Sequence, residues 1–444
     1  MLDLLQGELY TELKDVFPES QMEVKENEGH PLGNGGKVAV YPKTENEISH
    51  ILQYANKNGK TVSIVGGGTK RGFGGLIDSA DILLSLANLK GIVEHTVGDM
   101  TLTVKAGTPF QELQQYLEEH NQKISLDPAW PDYATIGGII AANENGPKRL
   151  AYGSARDAVI GLRVVYPNGK VIRTGGKVVK NVAGYDMNKL FVGSMGTLGV
   201  LTEITLKLRP LPKYESNVLL SFTEGDFAEM RSFAAAFLDS QMEPVSLELI
   251  SPSLAEKLTG EKFYTLAISF EDNESSVHYQ ESFLKSIQPP KTKMTILAQE
   301  KARKFWQSFY TISPNGRVSN QTGETEAVLK IGVVNLDVLK VIRESHLLQD
   351  THNLLIEAHG GLGHGLCQII LRGGSENVIS AIQHLRNFVK ELNGYAVIKH
   401  LPFILRQKIE VWGENPPYFF LFKGIKTKID PNNILNPKRF VGGI

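Results

Sequence analysis

The stretch VGGGTKRGFGG, Val65 to Gly75, decides how this chain is read. Glycine stands at 66, 67, 68, 72, 74 and 75. A loop without Cβ atoms cannot hold a ligand at a distance, and glycine's access to positive φ lets successive backbone N–H groups converge on an anion. Such a loop grips a phosphate. The glycines at 66 to 68 cost more backbone entropy than a turn requires, whereas Gly59 and Gly169 read as ordinary turn glycines.

The flanking sequence says which kind of phosphate site this is. VAVYP, Val38 to Pro42, reads as a strand; Thr44 and Glu47 form a capping box; Ile48, Ile51, Leu52 and Ala55 share one face of the helix that follows. That helix closes at Asn58-Gly59, and a second strand, Thr61 to Val65, feeds the glycines. A Rossmann fingerprint would open a long apolar helix after its glycines, but Ile77 to Leu86 reads as another strand. Gly59-Lys60-Thr61 imitates the end of a P-loop, yet Tyr54 stands where the earlier glycine is required. Neither common nucleotide motif fits.

Composition narrows the class. The chain has 444 residues, 41% of them hydrophobic, enough for a large core and for two domains. A net charge of -1 with no long basic run provides no field for nucleic acid or an anionic membrane. Met1 to Glu8 carries Asp3 and Glu8 and lacks the basic and apolar regions of a signal peptide, and no apolar run is long enough to span a bilayer; a cytoplasmic protein without direct membrane insertion is expected. Cys367 is the sole cysteine, so neither an internal disulfide nor a four-thiolate iron–sulfur cluster can form within the chain. Any redox chemistry needs another carrier.

A second glycine-bearing region, Leu126 to Pro210, has glycines at 137/138, 146/153 and 193/196/199. Their spread fits a long ligand touched at several points. Ala158 to Tyr166 and Lys170 to Thr174 read as a hairpin around Pro167-Asn168-Gly169, and Leu198 to Leu208 alternates as a strand.

GGGTKRGFGG, ATIGGIIAANENG, YGSARDAVIGLRVVYPNGKVIRTGG and KNVAGYDMNKLFVGSMGTLGVLTEITLKLRP, in that order, resemble the FAD-binding (PCMH) domain of the vanillyl-alcohol-oxidase type. Within that family they are most similar to FAD-binding subunits of bacterial glycolate oxidases. The resemblance runs from Lys37 to about Pro212, and DPNNILNP, Asp430 to Pro437, matches a closing motif of the D-2-hydroxyacid dehydrogenase branch. It implies an α+β fold: a two-lobed FAD-binding domain over 1–212, a cap with an antiparallel sheet and helices on one face over 213–415, and a segment 416–444 returning to the first domain. It implies FAD contacts at Val65, Gly66, Gly67, Gly68, Thr69 and Gly72, at Pro128, at Thr135, Gly137, Gly138 and Ala141, at Gly146, Gly153, Asp157 and Val159, and at Gly199 and Val200. Asp157 reads equally as a local capping group, and Tyr185-Asp186 equally as packing support or substrate contact. Thr69 or Lys70 stands where a tethering histidine would be, and Cys367 is far along the chain, so FAD is expected to bind non-covalently.

Beyond Pro212, two β-α-β-β-α sets are expected. The first runs from Asn217 to Ile287 and the second from Val328 to Leu392; the last helix aligns Val378, Ile382, Leu385, Val389 and Leu392. Lys291 to Glu326 reads as a long mobile connection. Oxidation of a 2-hydroxy acid needs a cation for the carboxylate and a base for the hydroxyl proton. Related dehydrogenases carry paired metal-binding histidines in a glycine-rich turn. In EAHGGLGHGLCQI, Glu357 to Ile369, His359 matches the first, but Leu362 and Leu366 replace an aspartate and the second histidine; His364 is out of register, and no metal is expected. His359 is the catalytic candidate, and Arg317, Lys330 and Arg372 are candidate carboxylate anchors that read equally as solvated charges. The tryptophans at 130, 306 and 412 read as packing residues, Trp130 being the one placed to meet the flavin.

The resemblance implies a glycolate-type 2-hydroxy-acid oxidoreductase, working beside a second FAD chain and an iron–sulfur chain that accepts electrons. A self-sufficient D-lactate-type dehydrogenase and a flavin-holding assembly subunit remain open at this point.

Overall fold

The computed structural model describes residues 2–25, 30–177, 185–318 and 323–444. Strand Gly35–Val40, helix Glu45–Lys57 and strand Val62–Val65 follow in the expected order, and strand Ser79–Ser85 lies parallel between the two strands. The capping box forms as read: Glu47 N–H donates to Thr44 Oγ1 at 3.2 Å, and Thr44 N–H to the Glu47 carboxylate at 3.0 Å. Ile48, Ile51, Leu52 and Ala55 are fully buried beneath this sheet. Strand Met22–Val24 completes it.

A second sheet of five antiparallel strands runs in the order Ile92–Thr96, Thr101–Lys105, Val200–Lys207, Val159–Val165, Val171–Gly175. The hairpin and the alternating strand read from sequence are its centre and edge. Both sheets share one hydrophobic core, which also takes in Ile434 and Leu435 from the C-terminal segment. That segment is stitched in by backbone: Val62 N–H donates to Ile434 O and Asn436 N–H to Val62 O, so Leu435 pairs in parallel with Val62. Lys426 is buried behind it, donating to Asp430 at 2.6 Å, to Thr197 O at 2.9 Å and to Leu435 O at 3.1 Å.

The cap is one eight-stranded antiparallel sheet. Its order is Thr292–Ala298, Tyr214–Phe222, Tyr264–Asp272, Ser246–Ile250, Leu355–Gly361, Leu366–Gly373, Thr325–Gly332, Tyr395–His400. Helices Phe227–Leu238, Glu274–Ser286, Val338–His352 and Ser375–Glu391 pack their apolar stripes against one face. The expected one-sided cover needs extending: Pro252–Thr259 and Glu300–Phe309 pack Leu254, Phe305, Trp306 and Phe309 on Ile250, Ala267, Val328 and Ile370 of the opposite face. The mobile connection expected over Lys291 to Glu326 is corrected by the same observation. It carries edge strand Thr292–Ala298 and helix Glu300–Phe309, whose aromatic residues have a core to fill; residues 319–322 of that stretch lie outside the described residues. Strand Tyr395–His400 was not anticipated.

Removing one partner of a buried ion pair strands the other, at a cost of roughly 3–5 kcal/mol. Lys426→Met is therefore expected to lower unfolding stability by about that amount in a urea titration, because Asp430 and two carbonyl oxygens lose their donor. An unchanged midpoint would show that the C-terminal segment is held by packing alone.

Candidate active site

The glycine loop leaves strand Val62–Val65 and is pinned from below. Asn34 Nδ2 donates to Arg71 O at 2.7 Å and to Gly74 O at 3.0 Å, and a Cβ on Gly75 would sit 1.9 Å from Asn34 Oδ1. Above, the segment before helix Ile136–Ala142 lies against the loop backbone. A Cβ on Gly66 would fall 2.1 Å from Thr135 Oγ1, and one on Gly67 only 1.7 Å from Tyr133 O. Among the described residues, the amides of Gly66, Gly67, Gly68, Thr69 and Lys70 donate no turn, loop or side-chain hydrogen bond. Unpaired amides on a turn with Gly68 at φ +74° form a concavity for an anion.

These residues line one groove. Val65, Gly66, Gly67, Gly68, Thr69, Thr135, Gly137, Gly138, Ala141 and Gly199 meet there, joined by Lys70, Arg71 and Arg439. Burial lowers all of these cations, Arg439 to about 10, and the neighbouring Arg71 adds to the effect there. Concentrated positive charge over bare amides is what a diphosphate would neutralise, so the groove fits FAD. Ala142 and Met195 connect it to a cavity of about 500 Å³.

Gly146 and His359 line that second cavity. The remaining FAD-contact candidates line neither space. Gly72 packs under His400, Pro128 borders a separate cavity of about 370 Å³, and Val159 and Val200 are buried in the core. Asp157 caps its own short helix, accepting from Ser154 N–H at 2.7 Å and from Ser154 Oγ at 2.9 Å, with Gly153 against its carboxylate. Of KNVAGYD, residues 180–184 lie outside the described residues; Tyr185 is exposed and Asp186 pairs with Lys189.

The cap supplies the other wall from the sheet face that the long helices leave free. Its strand register aligns His359 with Gln368, Gln368 with Lys330, and Lys330 with Val397, while Glu248 lies opposite Gly361. Glu248, Lys330, His359, His364, Gln368 and Lys399 all line the cavity. His359 Nδ1 lies 2.5 Å from Glu248 Oε1, and the ring packs edge-on against Phe309. Burial, with a smaller contribution from Lys399, lowers His359 to about 3 and keeps it neutral. Burial likewise raises Glu248 well above the usual carboxylate range.

Opposite stands Glu144, buried at the end of helix Ile136–Ala142, with Lys399 Nζ 3.2 Å away. Lys399 and Lys70 outweigh its burial and hold it down to about 2. Lys330 is different. It has no hydrogen bond or ion pair among the described residues, it faces the cavity, and burial beside Lys399 lowers it to about 8. The other candidate anchors are engaged: Arg372 pairs with Glu326 and Glu357, and Arg317 donates to Gly67 O while covering the Tyr133 ring. Trp130 donates to Ser313 O at 2.8 Å, and Gly316 N–H to Thr69 O at 3.0 Å, so the segment after helix Glu300–Phe309 lies along the glycine loop. Cys367, distant in sequence, lines the cavity with its thiol raised well above normal by burial.

Sequence reasoning missed Glu144, Glu248, Gln368 and Lys399. KHLP at 399–402 holds no motif by itself; only the unanticipated strand Tyr395–His400 places Lys399 at the site.

Gly67→Ala should displace the loop from Tyr133, a clash costing on the order of 1–3 kcal/mol. FAD affinity is then expected to fall about ten- to a hundredfold, read as bound flavin per chain after gel filtration. Full retention would remove this loop from the cofactor site.

Residues 36–175 match the FAD binding domain family. Over 442 residues the chain is 28% identical to the mitochondrial D-lactate dehydrogenase [cytochrome] of Arabidopsis thaliana, covering 94% of this chain and 75% of that protein. It is 28% identical to glycolate oxidase subunit GlcD of Bacillus subtilis, covering 90% and 88%. A shorter stretch of 125 residues is 43% identical to subunit GlcE of Escherichia coli, covering 28% and 36%. The fold superposes on 4-ethylphenol oxidase from Gulosibacter chungangensis with TM-score 0.76 at 15% identity, over 98% of this chain and 96% of that one. Residues 36–175 thus carry an FAD-binding domain, and the chain as a whole has the α+β fold of the vanillyl-alcohol-oxidase (PCMH) type.

Proposed function

We propose that this chain oxidises a small 2-hydroxy acid, glycolate in the first instance, as the flavin-bearing subunit of a complex with a second FAD chain and an iron–sulfur chain. The observation that carries the reading is Lys330: an ammonium with no partner among the described residues, facing a cavity in which His359 offers a neutral imidazole. A half-buried ammonium turned to a cavity is a ready anchor for an anion. A carboxylate bound there brings the hydroxyl on the adjacent carbon towards His359.

Bound non-covalently, FAD would supply the hydride acceptor. The amides of Gly66 to Lys70, with Arg71 and Arg439, would hold its diphosphate, and Thr135, Gly137, Gly138 and Ala141 would line its path towards the cavity. Lys330 fixes the acid by its carboxylate. His359 takes the hydroxyl proton. Lys399, engaged by Glu144, adds positive potential without binding a second anion. Cap and FAD domain, divided at about residue 212 with 416–444 returning, close the cavity from both sides and exclude water.

Similarity along most of the chain to a D-lactate dehydrogenase supports a second reading, a dehydrogenase that needs no partner. One experiment separates them: anaerobic titration of the purified, FAD-loaded chain with glycolate, D-lactate and L-lactate. Bleaching of the flavin by one acid identifies the substrate and a self-sufficient site; bleaching that begins only when partner chains are added supports the complex. No bleaching in either setting would remove the 2-hydroxy-acid reading. Lys330→Met is expected to raise KM for the acid about ten- to a hundredfold, the worth of one charged hydrogen bond, with a smaller change in kcat.

A further inference from the structure

The hydrogen bonds around His359, which run from Lys399 through Gln368, determine which of its ring nitrogens carries the proton. An ammonium can only donate. Lys399 Nζ lies 3.2 Å from Gln368 Oε1, so the carboxamide is oriented with its oxygen towards Lys399. Its Nε2 then faces Ser313 Oγ at 2.8 Å and His359 Nε2 at 3.3 Å. Turning the amide over would set its NH₂ against the ammonium. An amide nitrogen also only donates, so His359 Nε2 must present a lone pair, and the ring hydrogen belongs on Nδ1. There it points at Glu248 Oε1, 2.5 Å away.

The far side of Glu248 agrees with this assignment. Leu366 N–H donates to His364 Nδ1 at 3.2 Å, which leaves the His364 hydrogen on Nε2. That atom lies 3.9 Å from Glu248 Oε2, and both are buried without a hydrogen-bond partner. Gly361 has no Cβ, and one would lie 2.1 Å from His364 Nε2; the glycine makes room for the ring to face Glu248. Oε1 is therefore left to receive the Nδ1 hydrogen of His359, while the His364 N–H lies near Oε2 but beyond hydrogen-bond distance.

We propose that Gln368 and Glu248 are positioning residues that hold His359 as its Nδ1–H tautomer, keeping Nε2 bare and turned to the cavity as the acceptor of the substrate's hydroxyl proton. The proposal rests on the reading of His359 as the base. In the step, the O–H bond breaks and its proton goes to Nε2, and bound FAD would supply the acceptor for the Cα hydrogen with its electron pair, leaving the carbonyl of the 2-oxo acid. Substrate hydroxyl replaces the long 3.3 Å contact from Gln368, which keeps its shorter bond to Ser313.

The test is nitrogen-15 NMR of the FAD-loaded chain labelled at histidine, with the His359 signals identified by their loss in His359→Gln. Wild type should show a protonated Nδ1 and an unprotonated Nε2. Gln368→Leu should populate both tautomers and lower kcat about tenfold with KM for the acid nearly unchanged, while Gln368→Asn retains part of the bias. A wild-type His359 that carries its hydrogen on Nε2, or is doubly protonated, overturns the proposal without any variant. So does Gln368→Leu with unaltered tautomer signals and kcat. The expected tautomer in a chain whose flavin no 2-hydroxy acid reduces, alone or with partners, would instead overturn the functional reading and with it the proton-accepting role.

Discussion

The architecture around the groove depends on two glycine α-carbons lying where a methyl group would collide with the next segment. At Gly66 the obstacle would be the Thr135 hydroxyl and at Gly67 the Tyr133 carbonyl. Because nothing intervenes, strand Val62–Val65 and helix Ile136–Ala142 can face each other across a narrow floor, and the loop amides have no turn, loop or side-chain partner among the described residues. Entropy makes such a loop expensive to order. Asn34 offsets this from beneath with two donated hydrogen bonds, and Asn436 does so from the C-terminal segment, accepting from Ile64 N–H and donating to Met195 O. The closing motif near the end of the chain thus acts on the loop near its beginning.

The cavity exists because the cap sits on the first domain in one orientation. Glu271, at the end of a central cap strand, reaches Lys123, Lys148 and Tyr152 of the other domain. A buried charge cluster of this kind is weak evidence for stability, since desolvation consumes much of its Coulomb gain. Its value is geometric: a misplaced cap would leave a carboxylate and two ammonium groups unpaired. Lys148 also ties the seam to the flavin side, since its amide and that of Gly146 both donate to Asp127. Docking and site formation are therefore coupled through residues 146–148.

Local signals made much of this legible from sequence. The capping box at Thr44 and Glu47, the glycine run and the hairpin at Pro167-Asn168-Gly169 are short-range, and each appears where it was read. Helix Glu300–Phe309 was hidden because its aromatic residues sit inside a charged, asparagine- and glycine-bearing stretch that resembles a loop. Its apolar residues make sense only against Ile250 and Ala267, far away in sequence. The polar residues of the site were less legible still. Glu248, Gln368 and Lys399 occupy ordinary alternating strand positions, and only the register of five antiparallel strands brings them together with His359. At Asp157, where the sequence reads equally as a ligand contact and as a local cap, the carboxylate accepts from Ser154 as a helix cap.

Strand geometry also bears on what the cavity can hold. His359 and Lys330 are separated by the strand carrying Gln368, so their backbones lie about 10 Å apart at ordinary strand spacing. The lysine stem spans part of that distance, leaving room between ammonium and imidazole for a carboxylate and one hydroxylated carbon. A neutral alcohol would leave Lys330 uncompensated. A second carboxylate on the same ligand would meet Glu144, already holding Lys399, or the apolar wall formed by Phe73, Trp412 and Phe440. On the proposed reading, selection of a small monoanion follows from where two cap strands place a neutral imidazole and an ammonium with no partner among the described residues, and where the end of helix Ile136–Ala142 places an occupied carboxylate.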